Sequence, residues 1–253
     1  YQPTYEPIEA VRADEPGTCT DPSGDGCSFF DDSIAAGMNA AVTAGVKVIN
    51  MSLGGSQPSN QLLNAMQNAV NHGVILVISA GNDGDDPVLG ANSDPFALIP
   101  AQRFPGQVII AGALNCPWSP IASSSNRAGT GADWTLMALG TNVRTIDQNG
   151  RLSSWSGTSF SAPVVTGAVA LMAQAFPNLT AQQIVDILFT TADDLGTVGT
   201  DATYGHGRLN IQRAFQPIGT NSLAGTGTPI TATDLPGAAG DGGADGDPKT
   251  PES

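Results

Sequence analysis

Short, nearly continuous apolar runs alternate with amphipathic helical patterns through the middle of this chain. Residues 46–51 and 74–79 have the length and β-branched content of strands that are covered on both faces. Residues 108–111 and 136–139 predict two further short strands. Strands that alternate with helices in this way form a parallel sheet joined by helical crossovers. The sequence therefore predicts an α/β fold whose functional residues collect at the carboxyl ends of the strands.

Three segments before, between and after these runs carry an apolar residue every three or four positions, which is the period of an amphipathic helix. The first begins at Asp31 or Asp32, both capping residue types, and ends at Gly45; the second ends at Gly73. The third begins at Thr180, and its spacing from Gln183 predicts a capping box. The apolar faces comprise Ile34, Ala35, Met38, Ala41 and Val42, then Leu62, Leu63, Met66, Ala69 and Val70, then Ile184, Ile187 and Leu188.

The charge and composition restrict the partners and the domain organisation. A net charge of −14 argues against nucleic-acid binding, which needs a basic surface, and suits a protein outside the cytoplasm. No run of about eighteen apolar residues is present, so no membrane span is expected. We expect residues 1–216 to form one domain and residues 217–253, acidic and rich in Gly, Ala and Pro, to form a linker or a disordered tail.

A serine stands at the start of the longest apolar helical pattern. Residues 156–163 read Ser-Gly-Thr-Ser-Phe-Ser-Ala-Pro, and the apolar period continues to Met172. The free N–H groups and the positive dipole of a helix start suit Ser159 to act as an activated nucleophile. Pro163 is tolerated if it lies in the first turn, where its missing N–H has no consequence. The alternative interpretation is that Ser159 is an ordinary helix cap.

The whole string resembles the nucleophile motif of the subtilisin-like serine proteases, the subtilases or peptidase S8 family. This resemblance implies that Ser159 is the nucleophile. Residues 79–84, Ser-Ala-Gly-Asn-Asp-Gly, resemble the family segment that carries the oxyanion asparagine, which implies that role for Asn82. Without the resemblance, an asparagine in an Asn-Asp-Gly sequence is simply a turn former.

Residues 50–55 resemble the family's substrate-binding strand, and residues 26–28 resemble the edge that pairs with an extended substrate. The whole resemblance runs from about residue 8 to about residue 214. It implies a three-layer fold in which helices flank a mostly parallel sheet. It also implies a protein or peptide substrate, and a glycine-lined pocket with room for a sizeable apolar side chain before the scissile bond. The implied substrate-binding residues are Ser52, Leu53, Gly54, Ala80, Gly81, Gly26 and Ser28.

The chain departs from the family pattern in one respect. The catalytic aspartate and histidine motifs of subtilases, which precede the region that this chain resembles, are absent. The two histidines, His72 and His206, lie in a helix end and in the closing segment at residues 204–210, where we expect structural roles. The chain is therefore expected to be the C-terminal portion of a catalytic domain, without its N-terminal strands and inactive alone. Its missing partner would be the N-terminal segment of the same domain. The resemblance implies that the strand with the catalytic aspartate lies in the sheet between a predicted strand at residues 8–13 and the strand at residues 46–51.

The cysteines and an acidic loop offer candidate structural sites. Cys19 and Cys27 flank a loop and are candidates for a small disulfide, which leaves Cys116 as a small buried apolar group. Residues 21–26 have part of the spacing of a calcium loop but lack the glutamate that completes it, which favours a solvated turn. Structural calcium is common in the family, yet no ligands can be assigned here and no metal site is predicted. The chemistry requires no cofactor.

The sequence is compatible with three functions. The leading hypothesis is a serine endopeptidase, here without two members of its catalytic triad, in a secreted, periplasmic or cell-surface protein of bacterial type. The second is a non-catalytic module that uses the same cleft to bind peptides. The third is an unrelated serine hydrolase that uses His72 or His206 as its base.

Overall fold

A computed structural model describes residues 29–117, 120–146 and 150–216. The helices in these ranges are α1 (Asp31–Thr43), α2 (Asn60–Asn71), α3 (Pro95–Arg103), α4 (Thr158–Ala175), α5 (Ala181–Thr190) and α6 (Ile211–Ala214). The strands are β1 (Val48–Met51), β2 (Ile75–Ser79), β3 (Val108–Leu114), β4 (Thr135–Leu139), β5 (Val143–Ile146) and β6 (Leu152–Trp155).

The first four strands form one parallel sheet in the order β1-β2-β3-β4. Met51 lies opposite Ile78, which lies opposite Ile110, so β1, β2 and β3 run in register toward the same edge. These four strands coincide with the four predicted apolar runs to within three residues at each end. β5 and β6 form a separate antiparallel hairpin, which the sequence did not predict.

Helices cover both faces of this sheet. On one face α1, α2 and α3 share a core cluster with the strands, which includes Met66, Phe96 and Ile78. Successive strand residues point to opposite faces, so the fully buried Val77 faces the other side, where α4 contacts all four strands. The arrangement confirms the predicted α/β fold, with a parallel sheet between layers of helices.

The predicted helix ends are mostly correct, with one exception at α1. Gly45 and Gly73 follow α1 and α2 with positive φ angles of 78° and 74°, and Thr180 with Gln183 forms the complete capping box of α5. The N-cap of α1 is Phe30 and not Asp31 or Asp32. The Asp31 carboxylate instead accepts a hydrogen bond of 2.6 Å from the backbone N–H of Ser59, which precedes α2.

β1 is less covered than its sequence predicts. Every residue of β2 is buried, whereas in β1 only Met51 is buried and Asn50 is exposed. The reason is that β1 is the edge strand of the described sheet. A groove of about 900 Å³ lies beside β1 between α1 and α4, and its lining includes Met38, Gly167 and Ala170.

The closing segment, residues 204–210, is fastened to the sheet and to the loop after α5. The backbone N–H of Met137 in β4 donates to the carbonyl of Gly207. Arg208 and Asp193 exchange two backbone hydrogen bonds of 2.8 Å. The Arg208 guanidinium also donates to the Asp193 carboxylate at 2.6 Å. Burial, the largest influence on this carboxyl, raises its pKa, but the hydrogen bonds from Arg208, Asn210 and Arg213 and the charge of Arg208 outweigh burial and hold the pKa below its usual range.

α4 is the one helix in the described ranges that is long and apolar enough to cross a membrane, with 18 residues and a mean hydropathy of 1.2. It contacts all four strands of the sheet. We therefore interpret it as the core helix of the domain.

Cys116 is exposed, so the prediction of a buried apolar group is wrong. It lies two residues beyond the end of β3, in a turn where its backbone N–H donates to the hydroxyl of Thr141 at 3.2 Å. Cys116 is exposed because it lies in this turn and not in the buried strand.

Several predictions fall outside the described residues. They are the strand at residues 8–13, the Cys19–Cys27 disulfide, the substrate-binding roles of Gly26 and Ser28, the turn at residues 21–26 and the tail at residues 217–253. These predictions remain untested.

Candidate active site

The carboxyl ends of the parallel strands meet the N-terminus of α4. β1 ends at Met51 and is followed by Ser52, while β2 ends at Ser79 and leads to Asn82. The start of α4 is tied to the same edge because the backbone N–H of Gly157 donates to Gly140, just after β4, at 2.7 Å. The sheet therefore gathers the predicted site residues at one edge, as expected for a parallel α/β fold.

Ser159 lies in the first turn of α4 and is half-buried. The helix is entered through Gly157, whose φ of 143° is a conformation that favours glycine. No described residue accepts a hydrogen bond from the backbone N–H of Ser159. This N–H therefore stays available at the positive end of an 18-residue helix.

Pro163 occupies the second turn of α4, so the prediction that it lies in the first turn is wrong. The helix begins earlier than expected, at Thr158, and Pro163 cannot donate to the carbonyl of Ser159 four residues before it. The hydroxyl of Ser52 donates to that carbonyl instead, at 2.8 Å. A residue after β1 thus satisfies the backbone group that the proline leaves unpaired and links β1 to the nucleophile turn.

Asn82 is held in one orientation by Thr158. Its Oδ1 accepts hydrogen bonds from the backbone N–H of Thr158 at 2.9 Å and from the Thr158 hydroxyl at 3.0 Å. Because Oδ1 is taken by two donors, the Nδ2 group points away from them and can donate elsewhere. Thr158 is fully buried and immediately precedes Ser159, so the structure brings the predicted oxyanion asparagine beside the predicted nucleophile.

The two segments predicted to bind substrate are joined side by side. The hydroxyl of Ser79 donates to the carbonyl of Leu53 at 2.7 Å, which fixes the turn after β1 against the end of β2. Ala80 and Gly81 follow in that β2 segment and are buried. Gly54 and Gly81 both approach the same side chain, that of Asp94.

Asp94 is a residue of this region that the sequence reasoning missed. Its carboxylate accepts hydrogen bonds from the backbone N–H of Gly55 at 3.0 Å and from the Asn126 amide at 2.9 Å. Burial, the largest influence, raises the pKa of Asp94 above its usual range, and the neighbouring charge of Asp83 adds to this effect, while the hydrogen bond from Gly55 lowers the pKa only in part. The sequence marks Asp94 as a helix cap before Pro95, but its side chain makes no capping bond.

The two histidines do not serve this site. His72 lies at the amino end of β2, the opposite edge of the sheet from Asn82, and its Nδ1 contacts the carbonyl of Asn68 at 2.8 Å. His206 stacks on Phe189, with 4.2 Å between ring centroids, and its ring nitrogens contact the Asp133 carbonyl and the Thr200 hydroxyl. Both side chains have the structural roles that the sequence predicted, which removes the support for an unrelated hydrolase based on either one.

Comparison with known proteins gives three relevant similarities. The model of the subtilase family matches residues 20–207. Subtilisin DY from Bacillus licheniformis is 34% identical over 187 residues, and the match spans 73% of this chain and 62% of that protein. The solved structure of the patellamide maturation protease PatA is similar with a TM-score of 0.61 and 28% identity over 74% of this chain and 68% of that one.

A second solved structure supports the fold alone. The prenylagaramide maturation protease PagA is similar with a TM-score of 0.63 and 23% identity over 82% of this chain and 78% of that one. The family match contains Ser159, Asn82 and the segments after β1 and β2. The similarity to the two solved structures agrees with the parallel sheet and its covering helices. The chain belongs to the subtilase family.

Proposed function

We propose that this chain carries the nucleophile and the oxyanion site of a serine endopeptidase. The observation that carries the proposal is the Asn82–Thr158–Ser159 arrangement, in which Thr158 fixes the amide of Asn82 beside the helix start. Such an arrangement supplies two preorganised donors, the Asn82 amide and the Ser159 backbone N–H, for charge that develops on a carbonyl oxygen.

In the proposed reaction the Ser159 oxygen attacks the carbonyl carbon of the scissile peptide bond while its proton passes to a general base. The carbonyl oxygen becomes an oxyanion stabilised by the two donors. The C–N bond then breaks, the proton passes to the leaving amine, and the acyl group remains on Ser159 until water hydrolyses it. This chemistry uses no cofactor.

The general base and its orienting carboxylate are proposed to come from a segment that is not in this sequence. His72 and His206 are engaged elsewhere, and a serine hydroxyl without a bonded base is a weak nucleophile. Among the described residues β1 pairs on one side only, and this edge and the groove beside it support docking of that segment here, because an edge strand accepts a further strand. Alone, the chain is proposed to be inactive.

The remaining proposals concern location, calcium and the tail. The bacterial origin of Subtilisin DY and the net charge of −14 support a secreted, periplasmic or cell-surface protein. Within the described ranges, no group of three or more His, Cys, Asp or Glu could hold a metal ion, so a structural calcium site would need other ligands. Residues 217–253 are proposed to be a linker or tail because of their composition.

Hydrolysis of casein by the protein from its native source tests the proposed function. We expect the Ser159→Ala variant to lose the activity, and the Ser156→Ala variant to keep it, because Ser156 is exposed and its hydroxyl accepts a hydrogen bond from the backbone N–H of Asn142. Equal hydrolysis by wild type and Ser159→Ala would overturn the proposal. Absence of hydrolysis in the wild type, together with peptide binding that Ser159→Ala retains, would favour a non-catalytic peptide-binding module.

A further inference from the structure

The gap between the two substrate-binding segments contains a carboxylate. A Cβ atom added at Gly54 would come within 2.7 Å of Asp94 Oδ2, and one added at Gly81 would overlap Asp94 Oδ1. The φ of Gly81 is 108°, which also favours glycine. Glycine at both positions therefore lets the Asp94 side chain lie between the turn after β1 and the turn after β2.

Asp94 is held there by neutral groups. Its backbone N–H donates to Ala80 at 2.8 Å, and its carboxylate accepts from the Gly55 N–H and the Asn126 amide. Asn126 cannot turn away, because its Oδ1 accepts from the backbone N–H of Asp83 at 2.7 Å. Three contacts of Asp94 with backbone or amide groups, and the Asp83–Asn126 hydrogen bond behind them, thus set the position and orientation of the carboxylate.

No cation accompanies this carboxylate in the described part of the chain. The ion pairs between described residues join Asp193 to Arg208 and Arg213, and the charge of Asp83, which acts on Asp94, has the same sign as that of Asp94. A half-buried carboxylate is normally compensated by a countercharge. Two hydrogen bonds occupy only part of its acceptor capacity, since a carboxylate offers about four acceptor positions.

We propose that Asp94 determines specificity by pairing with a lysine or arginine side chain in the substrate residue that precedes the scissile bond. This inference rests on the proposed endopeptidase function, in which the segments that contain Gly54 and Gly81 line the pocket for that residue. The apolar side chain expected from the glycines alone does not match this lining, because the group that adjoins both glycines is charged. The substrate cation supplies the countercharge that the described residues do not place at Asp94.

Two peptidyl diphenyl phosphonates test the proposal. They are identical except that the residue bearing the phosphorus has a lysine side chain in one and a norleucine side chain in the other. Ser159 attacks the phosphorus, phenoxide leaves, and a stable phosphonate ester forms. The two probes differ only by the ammonium group, so the ratio of their labelling rates at Ser159 reports the charge preference.

With the protein from its native source, we expect the lysine probe to label Ser159 roughly 10- to 100-fold faster, as for a charge-assisted hydrogen bond in a partly buried site. The Asp94→Asn variant should bring the ratio close to one mainly by slowing the lysine probe. Asp186→Asn, which removes the same charge from an exposed position in α5, should keep the wild-type ratio.

The outcomes separate this inference from the proposed function. If both probes label Ser159 in the wild type but norleucine is preferred, or the ratio is near one, the role of Asp94 is refuted and the endopeptidase function stands. If Asp94→Asn labels but keeps the wild-type ratio, another group recognises the charge and the inference fails. If neither probe nor an untargeted fluorophosphonate labels Ser159, the proposed function fails and this inference fails with it. If Asp94→Asn does not fold, Asp94→Ser replaces it in the same comparison and must likewise bring the ratio close to one.

Discussion

Thr158→Val is the substitution that examines the geometry of the oxyanion site most closely. Valine has nearly the shape of threonine but lacks the hydroxyl that donates to Asn82 Oδ1 at 3.0 Å. The hydrogen bond of 2.9 Å from the backbone N–H of residue 158 would remain. The change therefore loosens the Asn82 amide without removing it, at a position that is fully buried.

The magnitude follows from the hydrogen bond that is lost. A typical intramolecular hydrogen bond contributes about 1 kcal/mol net, which corresponds to roughly a fivefold change in rate if it is all lost from the transition state. Removing a complete oxyanion donor costs about 100- to 1000-fold. We therefore expect Thr158→Val to react about fivefold more slowly than wild type, and Asn82→Ala to react about 100- to 1000-fold more slowly.

The assay is the second-order rate at which a fluorophosphonate labels Ser159 in the native-source protein, since its phosphoryl oxygen occupies the position of the oxyanion. Thr166→Val is the matched control, because Thr166 lies on the same helix and its hydroxyl donates to Asn50 and to the carbonyl of Ala162. It should label at the wild-type rate. If Thr158→Val labels as fast as this control, or if Asn82→Ala labels as fast as wild type, the assignment of the oxyanion site is wrong.

Three further predictions concern stability. Asp193→Asn should lower the free energy of unfolding, measured by urea denaturation, by about 2 kcal/mol, because the partly buried pair with Arg208 is lost. The pKa of the Asp193 carboxyl is depressed in the folded state. Its stabilising effect should therefore be present near neutral pH and be lost as the pH falls below about 4. Gly81→Ala should lower the melting temperature of the protein strongly, since the φ of Gly81 is 108° and the added Cβ would overlap a neighbouring side chain. Gly167→Ala is the control, because the Cβ added at this helical position would have no neighbouring atom within 4 Å outside the helix backbone; it should raise the melting temperature slightly. Ser52→Ala should lower the melting temperature because it leaves a helix carbonyl without its 2.8 Å donor; an unchanged melting temperature would contradict this interpretation.

The parallel sheet and the nucleophile turn could be predicted because their signals are local. Residues 74–78 are a continuous apolar run, as is typical of a short strand buried on both faces. Gly73 ends α2 through a positive φ that glycine adopts without strain. The string around Ser159 is specific enough to identify the family, and the structure places it at the helix start as expected.

Features that depend on contacts between distant segments could not be predicted. Asp94 has the sequence signature of a helix cap, but its side chain turns toward Gly55 and Asn126, which lie 39 and 32 residues away. The tolerance of Pro163 in the second turn of α4 also depends on a distant segment. The donor to the carbonyl of Ser159, which Pro163 leaves without a partner in the helix, is Ser52, 107 residues before Ser159.

β5 and β6 were missed for a different reason. The hairpin is short and exposes apolar side chains, with Ile146 and Leu152 at 68% and 60% exposure. Its strands therefore lack both the continuous burial of the sheet and a clear alternation of apolar and polar residues.

The most direct test of the central claim is fluorophosphonate labelling of the native-source protein, followed by intact mass measurement and peptide mapping. The Ser159 oxygen would displace fluoride from the probe, and the adduct should map to Ser159 and not to the nearby Ser156 or Ser161. We predict labelling, together with a mass above the 25.6 kDa of this chain or a companion fragment that co-purifies. A folded protein of only this mass in which Ser159 stays unlabelled would contradict the claim that this serine is a catalytic nucleophile.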